Sequence, residues 1–437
     1  MPKALIIFED GNYSNFFPLT LLRPIYFLRP GIRALFEKII DGFIDYDPHL
    51  FCRPEISEIT GEMTKCPVNH IGDSPFDEFI FVNGRIKYNR DFLSSLKSTG
   101  KNAILVSHGN ILAFKIMGKL NDRQKELLNE GDLGGFLDKL KSDAETLEVE
   151  LPMYDFLWDF VNNIDEEIID DFEHFRKHSD SYGSLKNREE MKEKERVYPG
   201  VEFIGIENIY VAPDVELMPG VVIDASKGPI FIGSSVRVEP FSYLEGPLYI
   251  GKKTVVAGGK INRCSIGPVC RIWGELEATI VQGYSNKHHA GFIGHSYLGE
   301  WINLGAMTTN SDLKNNYSNV KVSVNGEPVD TGSLKVGSFI GDFTKTAIGT
   351  LLNTGINIGV VCNIVSEGLI TEREIASFTW YSSRHKVPYN LVRAIETIEI
   401  SMSRRNEKLS IAFKKRLSEI SHGAVGPQAS IGIADSA

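Results

Sequence analysis

An α/β domain followed by a prism of short parallel strands, with helices at the C-terminus, is the fold class this sequence predicts, and three observations predict it. Short aliphatic runs alternate with amphipathic stretches over residues 1–175, aliphatic residues recur every six positions over 201–372, and helical spacing of apolar residues takes over in 373–437. A chain of 437 residues with 42% hydrophobic and 24% charged residues exceeds one compact core, so two or more domains are expected.

The first domain, 1–175, opens with ALIIF, an apolar run broken at once by Glu9 and Asp10. It is too short for a signal-peptide core or a membrane span and reads as a first buried strand. The runs ALIIF, EFIFVNG and NAILVS, with the amphipathic NDRQKELLNEGDLGGFLDKLKS, give the alternation of an α/β sheet. Residues 176–200 have almost no apolar side chains and many charges, so they read as a linker.

Beyond the linker, an aliphatic residue precedes glycine at Ile232, Ile250, Ile266, Ile293, Leu298, Leu304, Val336, Ile340, Ile348 and Ile358. Positions 232, 238 and 244, then 250 and 256, then 266 and 272, keep a beat of six. A helix with 3.6 residues per turn would scatter such positions around its surface, whereas six-residue units of one short strand and one corner point them all inward. Three units make a triangular coil, and coils stack at about 4.8 Å, which yields roughly nine coils here. Segments 282–292 and 310–332 break the beat and are expected to loop out, the second with an Asn-Gly hairpin turn at Asn325 and Gly326. After the repeat, one or two helices are expected to cover the open end of the stack, followed by a flexible tail.

A net charge of −10 excludes a general basic field for nucleic acid, and no membrane partner is expected. Cys52, Cys66, Cys264, Cys270 and Cys362 form no CxxC pair and have no zinc spacing, so reduced thiols in a cytoplasmic protein are expected, without disulfide or structural metal.

The six-residue repeat resembles the left-handed parallel β-helix of hexapeptide-repeat acyltransferases. The stretch HAGFIGHSYLGEWINLGAMT is similar to the acetyltransferase segment of bifunctional N-acetylglucosamine-1-phosphate uridylyltransferases. On that pattern His289 takes the place of the catalytic base, Asn303 that of the family's asparagine, and Ala306 that of the residue whose amide faces the acetyl carbonyl. Phe292 stands where the family has tyrosine, and Met307 where it has glycine. The family's Gly-x-Gly-Thr-Arg-Met loop is absent from the first domain. Its place is taken by FEDGNYSNFFPLTLLRPIYFLRPGI, with NGR at 83–85 and LWDFVNNIDEEIIDDF at 157–172. With NSDLKNNY, GDFTKTAIGTLLNTG and SFTW, these look like a divergent bacterial branch of the same enzymes, a sugar nucleotidyltransferase joined to a β-helix acetyltransferase, over about 3–380.

The resemblance implies a homotrimer acting on an amino-sugar 1-phosphate, with acetyl-CoA and a nucleoside triphosphate as co-substrates and Mg2+ for nucleotidyl transfer. Histidine, with an ordinary pKa near 6.5, suits proton transfer from an attacking amine, and backbone amides suit the developing oxyanion. Lys287, Lys314 and Tyr317 are candidates for the sugar phosphate, the alternative being solvated loop residues. Lys345 and Thr350 are candidates for acetyl-CoA, the alternative being coil corners. Asp10 and Gly11, at the end of the first strand, Arg23 and Arg29, each before a proline, and Asn83 with Arg85 are nucleotide-binding candidates. Asn83 stands where the family has a magnesium-binding aspartate, so the metal ligands stay unknown. Two rival readings stay open: a nucleotidyltransferase whose β-helix only trimerises and regulates, and a non-catalytic scaffold that binds nucleotide sugars.

Overall fold

The computed structural model describes residues 2–71, 75–89, 92, 96–97, 101–140, 144–178, 197–212, 214–382 and 385–423. Most of the predicted linker and the tail beyond 423 lie outside these. Two compact units emerge, the first containing 1–16, 22–28 and 33–155, the second 17–21, 29–32 and 156–437. The sequence reading carries the first domain to 175, whereas 156–178, two helices at Leu157–Asn162 and Ile164–His178, group with the second unit.

The first unit is built on a six-stranded sheet. Its strands are β1 (Lys3–Phe8), β2 (Asp47–Phe51), β3 (Glu78–Asn83), β4 (Ala103–Ser107), β5 (Asn110–Met117) and β6 (Glu145–Glu148), in the order β2-β1-β3-β5-β4-β6. The pairs β2/β1, β1/β3 and β4/β6 are parallel, while β5 runs antiparallel to both neighbours. Residues 4–8 of β1 are all buried, as expected of a strand covered on both faces. One face is an aromatic core in which Phe81 stacks on Phe114 at 4.1 Å and Phe136 packs against both. The amphipathic stretch forms two helices, Asp122–Asn129 and Leu133–Leu140, the first opened by a capping box between Asn121 and Gln124.

The second unit is a parallel β-helix. Each coil contributes one short strand to each of three ladders, and every strand pairs in parallel with its equivalent one coil away. Coils start at residues 202, 222, 242, 259, 275, 292, 309, 351 and 369, after a partial one in which Val197 bridges Leu217. Ile232, Val238, Leu244, Ile250, Val256, Ile266 and Ile272, the residues of the six-fold beat, are all fully buried. A second interior ladder lies two residues earlier and is chemically mixed, with Val236, Ser242, Leu248, Thr254, Cys264 and Cys270.

Three expectations are corrected. Segment 282–292 does not loop out: Ile280–Gly283 and Asn286–Lys287 are coil strands, and Ser285 and Lys287 are buried. The coil admits a lysine because its ammonium reaches backbone carbonyls across the corner. Ile348 lies outside the beat, exposed at a corner before Gly349, whose φ is +72°. The C-terminal helices, Leu391–Ser403 and Ile411–Ser421, reach the middle of the stack rather than only its end, since Arg405 bonds Asn286. Segment 310–332 leaves the prism as expected, with Lys321–Val324 and Glu327–Asp330 pairing antiparallel around Asn325 and Gly326, both at positive φ. Among the described residues, no helix is long and apolar enough to cross a membrane.

Candidate functional site

Each unit carries a candidate site. In the first unit, β1 and β3 are neighbours in parallel register, Phe8 opposite Asn83, and the chain crosses to opposite sides of β1 to form β2 and β3. Their carboxyl ends therefore form a topological switch point, where open α/β sheets bind ligands. Asp10, Asn83 and Arg85 meet there. The Arg85 guanidinium is fully buried and donates to Asp10 Oδ2 at 2.7 Å, Asp155 Oδ1 at 2.5 Å, Asn110 Oδ1 at 2.8 Å and the Tyr154 carbonyl at 3.1 Å. Asn83 donates from Nδ2 to Asp10 Oδ2 at 2.9 Å and to the Ile111 carbonyl, while its Oδ1 accepts from the Arg85 amide. Beside this cluster opens a cleft of about 560 Å³ lined by Ser107, His108, Asn110, Glu150 and Asp155.

Arg85 is thus enclosed by its partners rather than open to a phosphate. Arg23 is buried in the same unit. Arg29 belongs to the other unit: its amide donates to Tyr297 Oη at 2.8 Å, and its guanidinium donates to the Ile32 carbonyl and lies over Tyr249. Gly31, two residues on, has room for no side chain, since a Cβ would stand 2.7 Å from the Glu167 carbonyl. The arginine, proline and glycine of LRPG therefore dock a segment onto the β-helix. Gly11 opens a short 3-10 helix, Gly11–Phe16, with open space where a Cβ would be, so nothing requires glycine there. The sequence reading missed Glu9, buried and held by Arg53 at 2.6 Å; burial pushes its carboxyl up while Arg53 and the Ile25 amide pull it down.

The residues of this cluster do not fit a protein-held magnesium ion. Asp10 and Asp155 already share one guanidinium, the Asn83 amide oxygen is used by backbone, and no metal-holding group of three or more acidic, histidine or cysteine side chains exists among the described residues.

In the second unit, His289 and Ala306 occupy equivalent corners of consecutive coils. The Met307 amide donates to the Ala290 carbonyl at 2.8 Å, locking one corner onto the other. His289 is exposed, with the His288 ring centroid 5.6 Å away. Burial and the neighbouring His289 hold the His288 imidazole below its ordinary value. Ala306 accepts at its carbonyl from the Gly349 amide, and its own amide has no partner among the described residues. Met307 has φ +61°, the left-handed region that explains why glycine suits this corner in the resembling family.

Lys287 is not a solvent-facing phosphate ligand. It is 3% exposed, and its ammonium donates to the Trp273 carbonyl at 3.0 Å and to the His289 carbonyl, so it braces the histidine corner from inside. Burial lowers it to about 8. Thr350 is also turned inward, donating to the Ala347 carbonyl at 2.8 Å, and cannot line a cofactor site. Lys314 closes its own loop on the Asn319 carbonyl, and Tyr317 is exposed in the same insertion.

Asn303 is paired in register with Lys345 and with Asn286, and all three line a cleft of about 190 Å³ together with Arg404 and Arg405. Burial pushes Lys345 down to about 8. The two arginines were not singled out from sequence, because they lie more than a hundred residues from Asn286. Also unforeseen is the partner of His295, whose Nδ1 donates to Asp312 Oδ2 at 2.8 Å at the root of the insertion. Burial pushes the Asp312 carboxyl up, but His295 and Lys335 outweigh it and hold it below its ordinary range.

Residues 5–180 match the sugar nucleotidyl transferase family, and this domain precedes a parallel β-helix. The chain is also similar to proteins named as bifunctional. A bifunctional sugar-1-phosphate nucleotidylyltransferase/acetyltransferase of Sulfurisphaera tokodaii is 30% identical over 23% of this chain and 25% of its own length. The bifunctional protein GlmU of Acaryochloris marina is 26% identical over 38% of this chain and 29% of its own. That of a Cyanothece species is 25% identical over 55% and 54%. The chain thus spans about a quarter to a half of the length of the curated relatives it matches.

Proposed function

We propose that the chain is a two-site transferase that acts in the cytoplasm as a homotrimer and makes a nucleotide-activated N-acetyl amino sugar. The β-helix unit moves acetyl from acetyl-CoA to the amine of an amino-sugar 1-phosphate, and the first unit takes the sugar phosphate and a nucleoside triphosphate to a UDP-N-acetylglucosamine type of product; a relative named a sugar-1-phosphate nucleotidylyltransferase/acetyltransferase supports this division of labour. The observation that carries this reading is the His289 corner locked one coil from the Ala306 corner, a base beside an unpaired amide.

On this reading the amine nitrogen attacks the thioester carbonyl carbon and His289 accepts its proton. The oxyanion takes a hydrogen bond from the Ala306 amide, and collapse breaks the C–S bond as the proton returns to the departing thiolate. Lys287 is a positioning residue, since it holds the His289 carbonyl. We assign no step in the first unit to a protein-held magnesium.

The test is thiol release from acetyl-CoA on adding glucosamine 1-phosphate, followed by pyrophosphate release on adding a nucleoside triphosphate. Silence in the first assay removes the acetyl-transfer reading. A second reading, in which the first unit binds a nucleotide sugar without transferring, is favoured by the Arg85 cluster, whose cation is spent on two aspartates. Nucleotide-sugar binding without pyrophosphate release would select it. The trimer is checked by light scattering, where a mass near 48.8 kDa would remove it.

A further inference from the structure

The tripeptide Val-Asn-Gly occurs twice in the chain, ending at Gly84 and at Gly326. Asn-Gly carries a reaction of its own, because no side chain shields the glycine amide nitrogen, which can close a five-membered ring onto the asparagine side-chain carbonyl carbon. The residue before each pair is also the same, so only the fold distinguishes Asn83 from Asn325. It treats them oppositely.

Asn83 is 1% exposed; its Nδ2 donates to Asp10 Oδ2 and the Ile111 carbonyl, and its Oδ1 accepts from the Arg85 amide. The nitrogen that would attack is occupied as well, since the Gly84 amide donates to the Phe8 carbonyl at 2.8 Å. Gly84 has no room to swing, because a Cβ there would stand 2.6 Å from the Tyr26 ring.

Asn325 and Gly326 are the two-residue turn between Lys321–Val324 and Glu327–Asp330, both exposed and at φ +53° and +85°. The ladder closes on Val324 paired with Glu327, so the Gly326 amide lies outside it. Packing stops short of the tip: Val320, Val322, Ser323 and Val324 are buried, whereas residues 325–328 are exposed. The two strands form a sheet of their own, and a two-stranded hairpin is marginal by itself, so the tip opens more readily than the foot that the coils hold.

We propose that Asn325 is a self-modification site, converted with age to aspartate and isoaspartate while Asn83 is preserved. The Gly326 amide nitrogen gives its proton to solvent base and bonds to Asn325 Cγ; the C–N bond of the side-chain amide breaks, and ammonia leaves with a proton from solvent. Water then adds to either carbonyl of the cyclic imide and opens the ring. The balance is one side-chain amide and one water consumed for one carboxylic acid and one ammonia. Opening at the former backbone carbonyl routes the main chain through the side chain, which lengthens a turn built for two residues and leaves a carboxylate beside Glu327. The Val324–Glu327 pair is then lost, while the foot stays held by Ser323 Oγ on Glu374 and by Asn357 Nδ2 on the Ser323 carbonyl.

The test is peptide mapping by mass spectrometry of the full chain aged in mildly alkaline buffer, with isoaspartate distinguished from aspartate by enzymatic carboxyl methylation. In the folded chain Asn325 should turn to acid roughly tenfold or more faster than Asn83, and faster in alkaline than in acidic buffer; in urea, where the fold no longer protects Asn83, the two rates should converge. Asn325→Gln should remove the methylation signal from this peptide with an unchanged melting temperature. An Asn325 that keeps its amide as long as Asn83 does in the folded chain, a gap between the two that persists in urea, or methylation of this peptide that survives in Asn325→Gln overturns the proposal.

Discussion

His289 and Arg85 place opposite demands on their surroundings, one needing access and the other enclosure. His289→Ala should lower acetyl transfer by roughly 10² or more with an unchanged melting temperature, because the side chain is exposed and packs against nothing that holds the coil. His288→Ala should do far less, and a His289→Ala protein with full activity would remove the base. Arg85→Met should behave in the reverse sense. It strips a fully buried cation from Asp10, Asp155 and Asn110, and because both carboxylates keep some access to water the loss should be that of charged hydrogen bonds, about 1.5–3 kcal/mol. Urea unfolding should show that loss, and a change under about 1 kcal/mol would mean that the cluster relaxes into the neighbouring cleft.

Among the elements, the segment carrying Arg29 and Gly31 is the one whose sequence most invites a functional reading and whose structure gives an architectural one. Ser265 Oγ donates to the Gly31 carbonyl and the Ile32 amide donates to Asp171 Oδ2 at 2.8 Å, so the segment is stitched to the coil by its backbone. Gly31→Ala should cost about 1–3 kcal/mol in the second unit's thermal unfolding, because the added carbon meets backbone that cannot yield; an unchanged transition would show that the helix Ile164–His178 shifts freely. The coil itself was legible from sequence, since one inner ladder is aliphatic from Ile232 to Ile272 and its members recur every six residues. The second inner ladder was not, because Thr254 sits there by bonding the neighbouring coil, its Oγ1 donating to the Gly267 carbonyl at 3.1 Å and accepting from the Cys270 amide at 3.0 Å. Lys287 misled for a similar reason: a lysine in a coil position breaks an apolar pattern without breaking the coil. The sequence reading named Asp10, Asn83 and Arg85, which the structure brings together, and His289 and Ala306, which stand at neighbouring corners. The sites were opaque wherever a partner came from afar, as Asp155 does to Arg85 and Arg405 to Asn286.

At the scale of the whole molecule, buried ionisable groups set how stability follows pH. Lys287 and Lys345 are pushed down to about 8 from 10.5 by burial. Above pH 8 the folded chain releases protons that the unfolded chain still holds, so stability rises with pH there, and this gain is lost as pH falls through 8. The thiols of Cys52, Cys264, Cys270 and Cys362 run the other way, pushed up by burial from 9 to about 12, so that from about pH 9 the unfolded chain ionises first and stability falls. The melting temperature should therefore climb from pH 8 and turn over near pH 9, and Lys287→Met with Lys345→Met should flatten the climb. A wild-type melting temperature that is flat or falling between 8 and 9 would contradict the lysine assignment. One consequence of the stacked corners is metric. His289, Ala306 and Ile348, each three residues past Asn286, Asn303 and Lys345 in the paired strands, stand on one edge at successive coils, so the edge is a ruler graduated in steps of about 4.8 Å. Whatever lies along it is measured in whole steps from the histidine, and extra residues can enter only at a corner, as the segment 310–332 does, because Asn303 still meets Lys345 in register on the far side of it.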